Sequence, residues 1–389
     1  MKIVETGILA RGVADTARAV LSFPSVVSLS DGTVLALFRA GSRKDSDDEA
    51  IELCRSLDGG RTWSEPRRCF EAPVLDGRRG TLKVCYLTEL APGHLLAASM
   101  WVDRETYPGQ PLFNAETEGC LPMVILLADS YDFGQTWTPW RRVPMPDDAE
   151  PQAQEPPSRR NIGPASLTNP ILKLPDGTLA MSVETNKHYH DASKWYQRVV
   201  LFHSHDGGQT WEGPVTASQD PSGRIFYWDQ RAGVAPDGRI AAFLWTYDSE
   251  TLTYLNIHRR LSPDGGFAWL PLEDLGFADQ ASHPAILPDG RVVLAWVDRF
   301  RSQSIRARLA PSVDAAFDPQ SEVLIYAHTA EQASADDDTG ELLAGMSLWT
   351  FGLPYAEVLP DGDVLVVYYA GSESTMDVRW ARLQVAAAP

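Results

Sequence analysis

Six times along this chain a short turn built on glycine is followed by a run of apolar, β-prone residues. The copies are SDGTVLALF from Ser30, APGHLLAAS from Ala91, PDGTLAMSV from Pro175, PDGRIAAFL from Pro236, PDGRVVLAW from Pro288 and PDGDVLVVY from Pro360. No other feature narrows the fold so far. An Asp-Gly turn tolerates the left-handed backbone that a tight hairpin needs, and a proline ahead of it sets φ in advance. β-prone residues flank each turn on both sides, as in PSVVSL before Ser30, so each copy reads as a hairpin that opens a structural unit. The turn glycines Gly32, Gly93, Gly177, Gly238, Gly290 and Gly362 are 52 to 84 residues apart. A fixed unit recurring at such a period signals an array of one supersecondary element, and the length of this period leaves room for elaborate loops.

Four units carry a second motif 24 to 37 residues beyond the turn glycine: SLDGGRTW from Ser56, SYDFGQTW from Ser130, SHDGGQTW from Ser204 and SPDGGFAW from Ser262. Its Asp accepts hydrogen bonds from the amides of the turn that follows, its Gly supplies positive φ, and its Trp packs the turn onto the sheet. Asp58, Asp132, Asp206 and Asp264 are therefore folding residues, because one reaction does not need four equivalent catalytic groups. The motif resembles the Asp box of the sialidase (neuraminidase) superfamily. That resemblance implies an all-β fold, a six-bladed β-propeller of four-stranded antiparallel blades. The chain is expected to form one such domain over residues 1–389. The last unit runs out of sequence after three strands, so KIVETGIL at residues 2–9 is expected to supply its outer strand and close the ring.

Composition restricts the partners. An apolar fraction of 44% with 22% charged residues describes a folded chain, and a net charge of −18 repels phosphate backbones and anionic lipid headgroups. No nucleic acid or membrane partner is expected, and the oligomeric state stays open. The N-terminal MKIVETGILARG holds no apolar run of signal-peptide length, so a cytoplasmic protein is expected. Cys54, Cys69, Cys85 and Cys120 lack C-x-x-C spacing and read as reduced thiols rather than a zinc site. No metal and no cofactor is called for.

Consecutive antiparallel strands alternate their connections between two faces. The glycine turns and Asp boxes share one face and are short and repeated, so the longer loops and the links between units belong to the other. Those segments begin at Arg39, Trp101, Glu184, Trp245, Val297 and Tyr368 after second strands, and at Asp76, Arg159, Arg224, Asp279 and Leu348 before first strands. They concentrate aromatic rings beside carboxylates and arginines, a mixture suited to carbohydrate, since rings stack on apolar sugar faces and charged groups take hydroxyls or carboxylates.

The resemblance also implies site positions. Sialidases pair a Tyr nucleophile and a Glu with an Asp acid/base, and they hold the sialate carboxylate with three arginines. The acid/base falls in the first loop, at Asp45, Asp47 and Asp48, and the Glu position is Asp229. Ser22 and Thr246 stand where two of the arginines belong, and Leu353 stands near the Tyr position with Tyr355 two residues on. The expected activity is a sialidase-like exo-glycosidase acting on a small acidic glycoside. A carboxylate of the first loop would be the acid, and Asp229 or Glu184 the nucleophile or base. Arg39, Arg43, Lys83, Arg104, Arg231 and Arg299 are substrate-holding candidates, with Trp228 and Trp349 as platforms. A polysaccharide lyase using His188 or His283 as base and Tyr355 as acid is the alternative, and a non-catalytic carbohydrate-binding chain is the third.

Overall fold

The computed structural model describes residues 1–145, 157–159, 161–328 and 349–386; Leu348, where the last link begins, lies outside them. Among the described residues there is no α-helix, one 3₁₀ turn at Pro157–Arg159, and otherwise β-strand and loop. The strands form five sheets, of which the largest has eight strands. That sheet is two antiparallel runs joined through a single parallel pair, Val20 with Met376.

One run is Val20–Ser28, Val34–Gly41, Ala50–Ser56 and Arg67–Arg68; the other is Phe351–Val358, Val364–Gly371, Met376–Gln384 and Lys2–Ala10. Lys2–Ala10 thus pairs with the C-terminal strand, from Lys2 opposite Gln384 to Ala10 opposite Val378. The remaining sheets have the same up-and-down order, with second strands at His94–Asp103, Leu179–Thr185, Ile240–Asp248 and Val292–Asp298. The first strand of each unit packs on the unit before it, and Val20–Ser28 packs on Phe351–Val358.

This stacking explains the apolar runs. A second strand is covered on both faces by neighbouring units, so it reads as continuous hydrophobic sequence rather than as an alternation. Every residue of Val34–Gly41 and of Ile240–Asp248 is buried.

The Asp boxes join the units. Asp58 accepts hydrogen bonds from the amides of Arg61 and Thr62 and from the hydroxyls of Ser56 and Thr62, which hold its carboxyl near 2 against the opposing effect of burial. Asp132 and Asp206 repeat the pattern. In the fourth copy Asp264 keeps Ser262 and the Ala268 amide, having no threonine to bind. Each box leans on the preceding unit. A Cβ on Gly134 would lie 2.9 Å from Leu35, and one on Gly266 would lie 2.6 Å from Leu201. Gly60 of the first box meets Leu365 of the last unit in the same way, at 2.9 Å.

First strands, in contrast, are broken midway. Register shifts interrupt Val20–Ser28 between Ser22 and Ser25, Gly80–Ala91 between Leu82 and Val84, Ile225–Val234 between Trp228 and Arg231, and Phe351–Val358 between Gly352 and Tyr355. Phe23, Asp229 and Leu353 occupy three of these bulges with φ of 51°, 46° and 44°. A bulge bends the strand and turns a side chain out of the alternating pattern. Here the turned residues line one cavity.

Candidate active site

That cavity, of about 590 Å³, collects residues from the loops after second strands and from the broken first strands. No Asp-box aspartate and no turn glycine lines it, in keeping with their place on the other face. Of the expected residues, Arg43, Asp45, Asp47, Lys83, Arg104, Glu184, Trp228, Asp229, Arg231, Arg299 and Trp349 line it.

Asp229 is held from two sides. Its Oδ1 lies 2.8 Å from Arg231 Nη2, and its Oδ2 accepts a hydrogen bond from the Gln280 side chain. Gln280 in turn accepts from Arg299, whose guanidinium also pairs with buried Asp279 at 3.2 Å and lies 4.2 Å from the Trp349 ring. Arg231 also donates to the Tyr86 hydroxyl at 3.0 Å and to the Thr168 carbonyl. A continuous chain of charge-assisted hydrogen bonds therefore fixes the Asp229 carboxylate.

Glu184 sits beside it in different surroundings. Its Oε1 accepts from the Gln230 amide at 2.8 Å and the Thr168 hydroxyl at 3.1 Å. Burial, reinforced by the charge of Asp229, pushes its carboxyl up to about 8. At neutral pH Glu184 therefore carries a proton.

The first loop corrects the sequence reading. Burial alone would raise the Asp45 carboxyl, but Lys83 at 2.7 Å and Arg104 at 2.7 Å outweigh it and hold it well below the carboxylate range. An ionised Asp45 has no proton to give. Asp48 lies away from the cavity and accepts from the Ser42 amide and hydroxyl, and Asp47 is exposed at 3.7 Å from Arg104. Arg39 is fully buried beneath the loop, not in the cavity, bound to Glu49, to the Lys44 carbonyl and to Ser22 Oγ at 2.7 Å.

The lyase candidates also fall outside the cavity lining. His188 lies near Asn161. Tyr355 is buried between Tyr86 and His283, with ring centroids 6.2 and 4.6 Å away. Burial, with help from Arg231, lowers His283 to about 3, so it is a neutral ring facing Asn169.

Other lining residues were missed from the sequence. Gln280, Tyr86, Tyr369 and Trp245 face the cavity. Glu49, fully buried, binds Arg39, Lys83 and Arg104 together. Glu49 ends the acidic run that starts at Asp45, and that run was its available signal.

A family model for the BNR/Asp-box repeat matches residues 202–212, the third box. The fold is that of the sialidases. An intramolecular trans-sialidase from Ruminococcus gnavus superposes with a TM-score of 0.60 at 12% identity over 97% of each chain. An α-L-arabinanase from Penicillium chrysogenum gives 0.62 at 17% identity over 98% of each. A Dyadobacter fermentans protein of unknown function gives 0.73 at 21% identity over 99% of each. No curated protein matches the sequence. One sialidase-like scaffold thus serves enzymes with different substrates, so chemistry has to be argued from the site.

Proposed function

We propose that this chain is a glycoside hydrolase, a single six-bladed β-propeller closed by its N-terminal strand, in which Glu184 and Asp229 are the working carboxyl groups. The reading is carried by one observation: two neighbouring carboxyls share a cavity in opposite surroundings. Glu184 has neutral donors and a raised pKa; Asp229 has an arginine. Environments that separate two carboxyls in this way assign acid and counter-charge.

In the reaction Glu184 gives its proton to the glycosidic oxygen as that oxygen's bond to the anomeric carbon breaks. Asp229 faces the positive charge that builds on the anomeric carbon. Water adds to that carbon, and the proton it releases restores Glu184. Trp228, Trp245 and Trp349 offer ring faces to the sugar. Arg43, exposed at the rim with no carboxylate within 4 Å among the described residues, receives an acidic substituent. Arg104, Arg231 and Arg299 are already paired with protein carboxylates, and Ser22 and Thr246 stand at two positions where the family resemblance implies arginine. Ordinary α-sialosides are therefore expected to be poor substrates.

The test is a panel of 4-methylumbelliferyl sialosides, uronides, arabinosides and rhamnosides. Hydrolysis of at least one is expected, falling 10²- to 10⁴-fold in Glu184→Gln. Fluorophore release from none of them would overturn the assignment.

A further inference from the structure

A second cavity adjoins the first. It is about 470 Å³ and is lined by the hairpin turn at Thr251–Tyr254, by Ala278 and Asp279, and by Asp298, Phe300 and Arg301. The cavities share a wall, since Asp279 faces the second while pairing with Arg299, which faces the first. A ladder of rings also runs between them. Trp349 meets Trp245 edge-on at 5.6 Å, Trp245 stacks on Tyr254 at 4.9 Å and 3°, and Tyr254 stacks on Phe300 at 4.7 Å and 12°. The first two rings line the first cavity and the last two line the second.

The second cavity has unused recognition groups. The Tyr254 hydroxyl is buried with no hydrogen-bond partner in a residue only 9% exposed, which is costly for a polar group unless something binds it. Arg301 is exposed and has no carboxylate within 4 Å among the described residues. Asp298 is already shaped by the Arg301 and Ser302 amides and the Ser302 hydroxyl. An aromatic face with a phenol, a carboxylate and a guanidinium around it matches a hydroxylated ring.

We infer that the second cavity binds a second sugar unit of the substrate, so that the molecule recognised is a di- or oligosaccharide reaching from one cavity to the other. The inference rests on the glycosidase reading for its account of the first cavity. Its chemistry at the second stands on Tyr254, Phe300 and Arg301 alone. An apolar sugar face packs against Phe300 where it lines the cavity, a hydroxyl bonds Tyr254 Oη, and Arg301 takes a further hydroxyl or carboxylate.

Two measurements on the full chain test it. In the first, kcat/KM of wild type, Phe300→Ala and Tyr254→Phe is compared on the aryl monoglycoside cleaved in the panel and on a trisaccharide bearing the same terminal sugar. The trisaccharide-to-monoglycoside ratio should fall at least tenfold in Phe300→Ala and severalfold in Tyr254→Phe. An unchanged ratio in both would overturn the second site while leaving the hydrolase reading intact. In the second, saturation-transfer NMR follows binding of 3′-sialyllactose, arabinotriose and trigalacturonic acid. Binding that weakens at least tenfold in Phe300→Ala, with no glycoside turned over, would support the site and defeat the hydrolase. If none of the three binds and none of the panel reacts, both fall.

Discussion

At the scale of single residues, Glu184 and Asp229 differ in what each costs when neutralised. Glu184 is protonated in the folded chain up to about pH 8, against an ordinary value of 4.5, so folding retains a proton across that window. The stability tied to that proton is complete below pH 4.5 and is lost as pH rises towards 8. Glu184→Gln removes the titration and still accepts from Gln230 and Thr168. Its melting temperature should therefore gain on wild type steadily between pH 5 and 8, and a pH-independent difference would count against the raised value. Turnover by wild type should decline above about pH 8, where the acid loses its proton. Asp229→Asn leaves Arg231 buried without its carboxylate, which costs about 3–5 kcal/mol. Thermal denaturation should thus show a drop for Asp229→Asn that Glu184→Gln lacks. The sequence names both residues as nucleophile or base, whereas the surroundings of Glu184 suit the acid. The resemblance puts the acid at Asp45, Asp47 and Asp48; Lys83 and Arg104, which hold Asp45 ionised, lie 38 and 59 residues away in sequence, and only the fold brings them to it.

At the scale of elements, hairpins and boxes were readable because their chemistry is local: a glycine at positive φ, and an Asp reaching the amides three and four residues on. The broken first strands were not readable. Phe23 and Leu353 each precede a proline, a position whose local preference is extended backbone, yet both take positive φ. Packing of neighbouring units overrides that preference at a cost of order 1–3 kcal/mol per residue. The bulge next to Gly352 has a checkable role. Gly352 has φ of 148°, and a Cβ there would lie 2.7 Å from Arg299 Nη2 and 3.2 Å from the Tyr369 hydroxyl. Gly352→Ala must displace the guanidinium that holds Gln280 against Asp229. Activity on the panel substrate should fall tenfold or more, and a fully active Gly352→Ala enzyme would show that this hydrogen-bond chain does not position the carboxylate.

At the scale of the whole molecule, the question is what stops an array of stacked units from fraying at its ends. Every interior unit is covered on both sides, whereas the first and last would each expose an apolar face if they did not meet. Among the contacts that bring them together are the Val20 to Met376 pair, the seat of Gly60 on Leu365, and buried Arg382, which donates to the Gly59 carbonyl at 2.9 Å while pairing with Asp361 and Asp363. The N-terminal strand adds to these by covering the edge of the C-terminal strand, with Gly7 set so tightly on Trp380 that a Cβ would lie 2.7 Å from its ring. Removing residues 1–10 uncovers that edge and the Trp380 face. In a ring the loss is felt by every unit, so the chain should still melt in one cooperative transition but with stability lowered by several kcal/mol. In an open array the same deletion would loosen the last unit alone, giving an early partial transition ahead of an unshifted main one. Calorimetry of the truncated chain separates the two, and an unchanged melting curve would refute closure by the N-terminal strand.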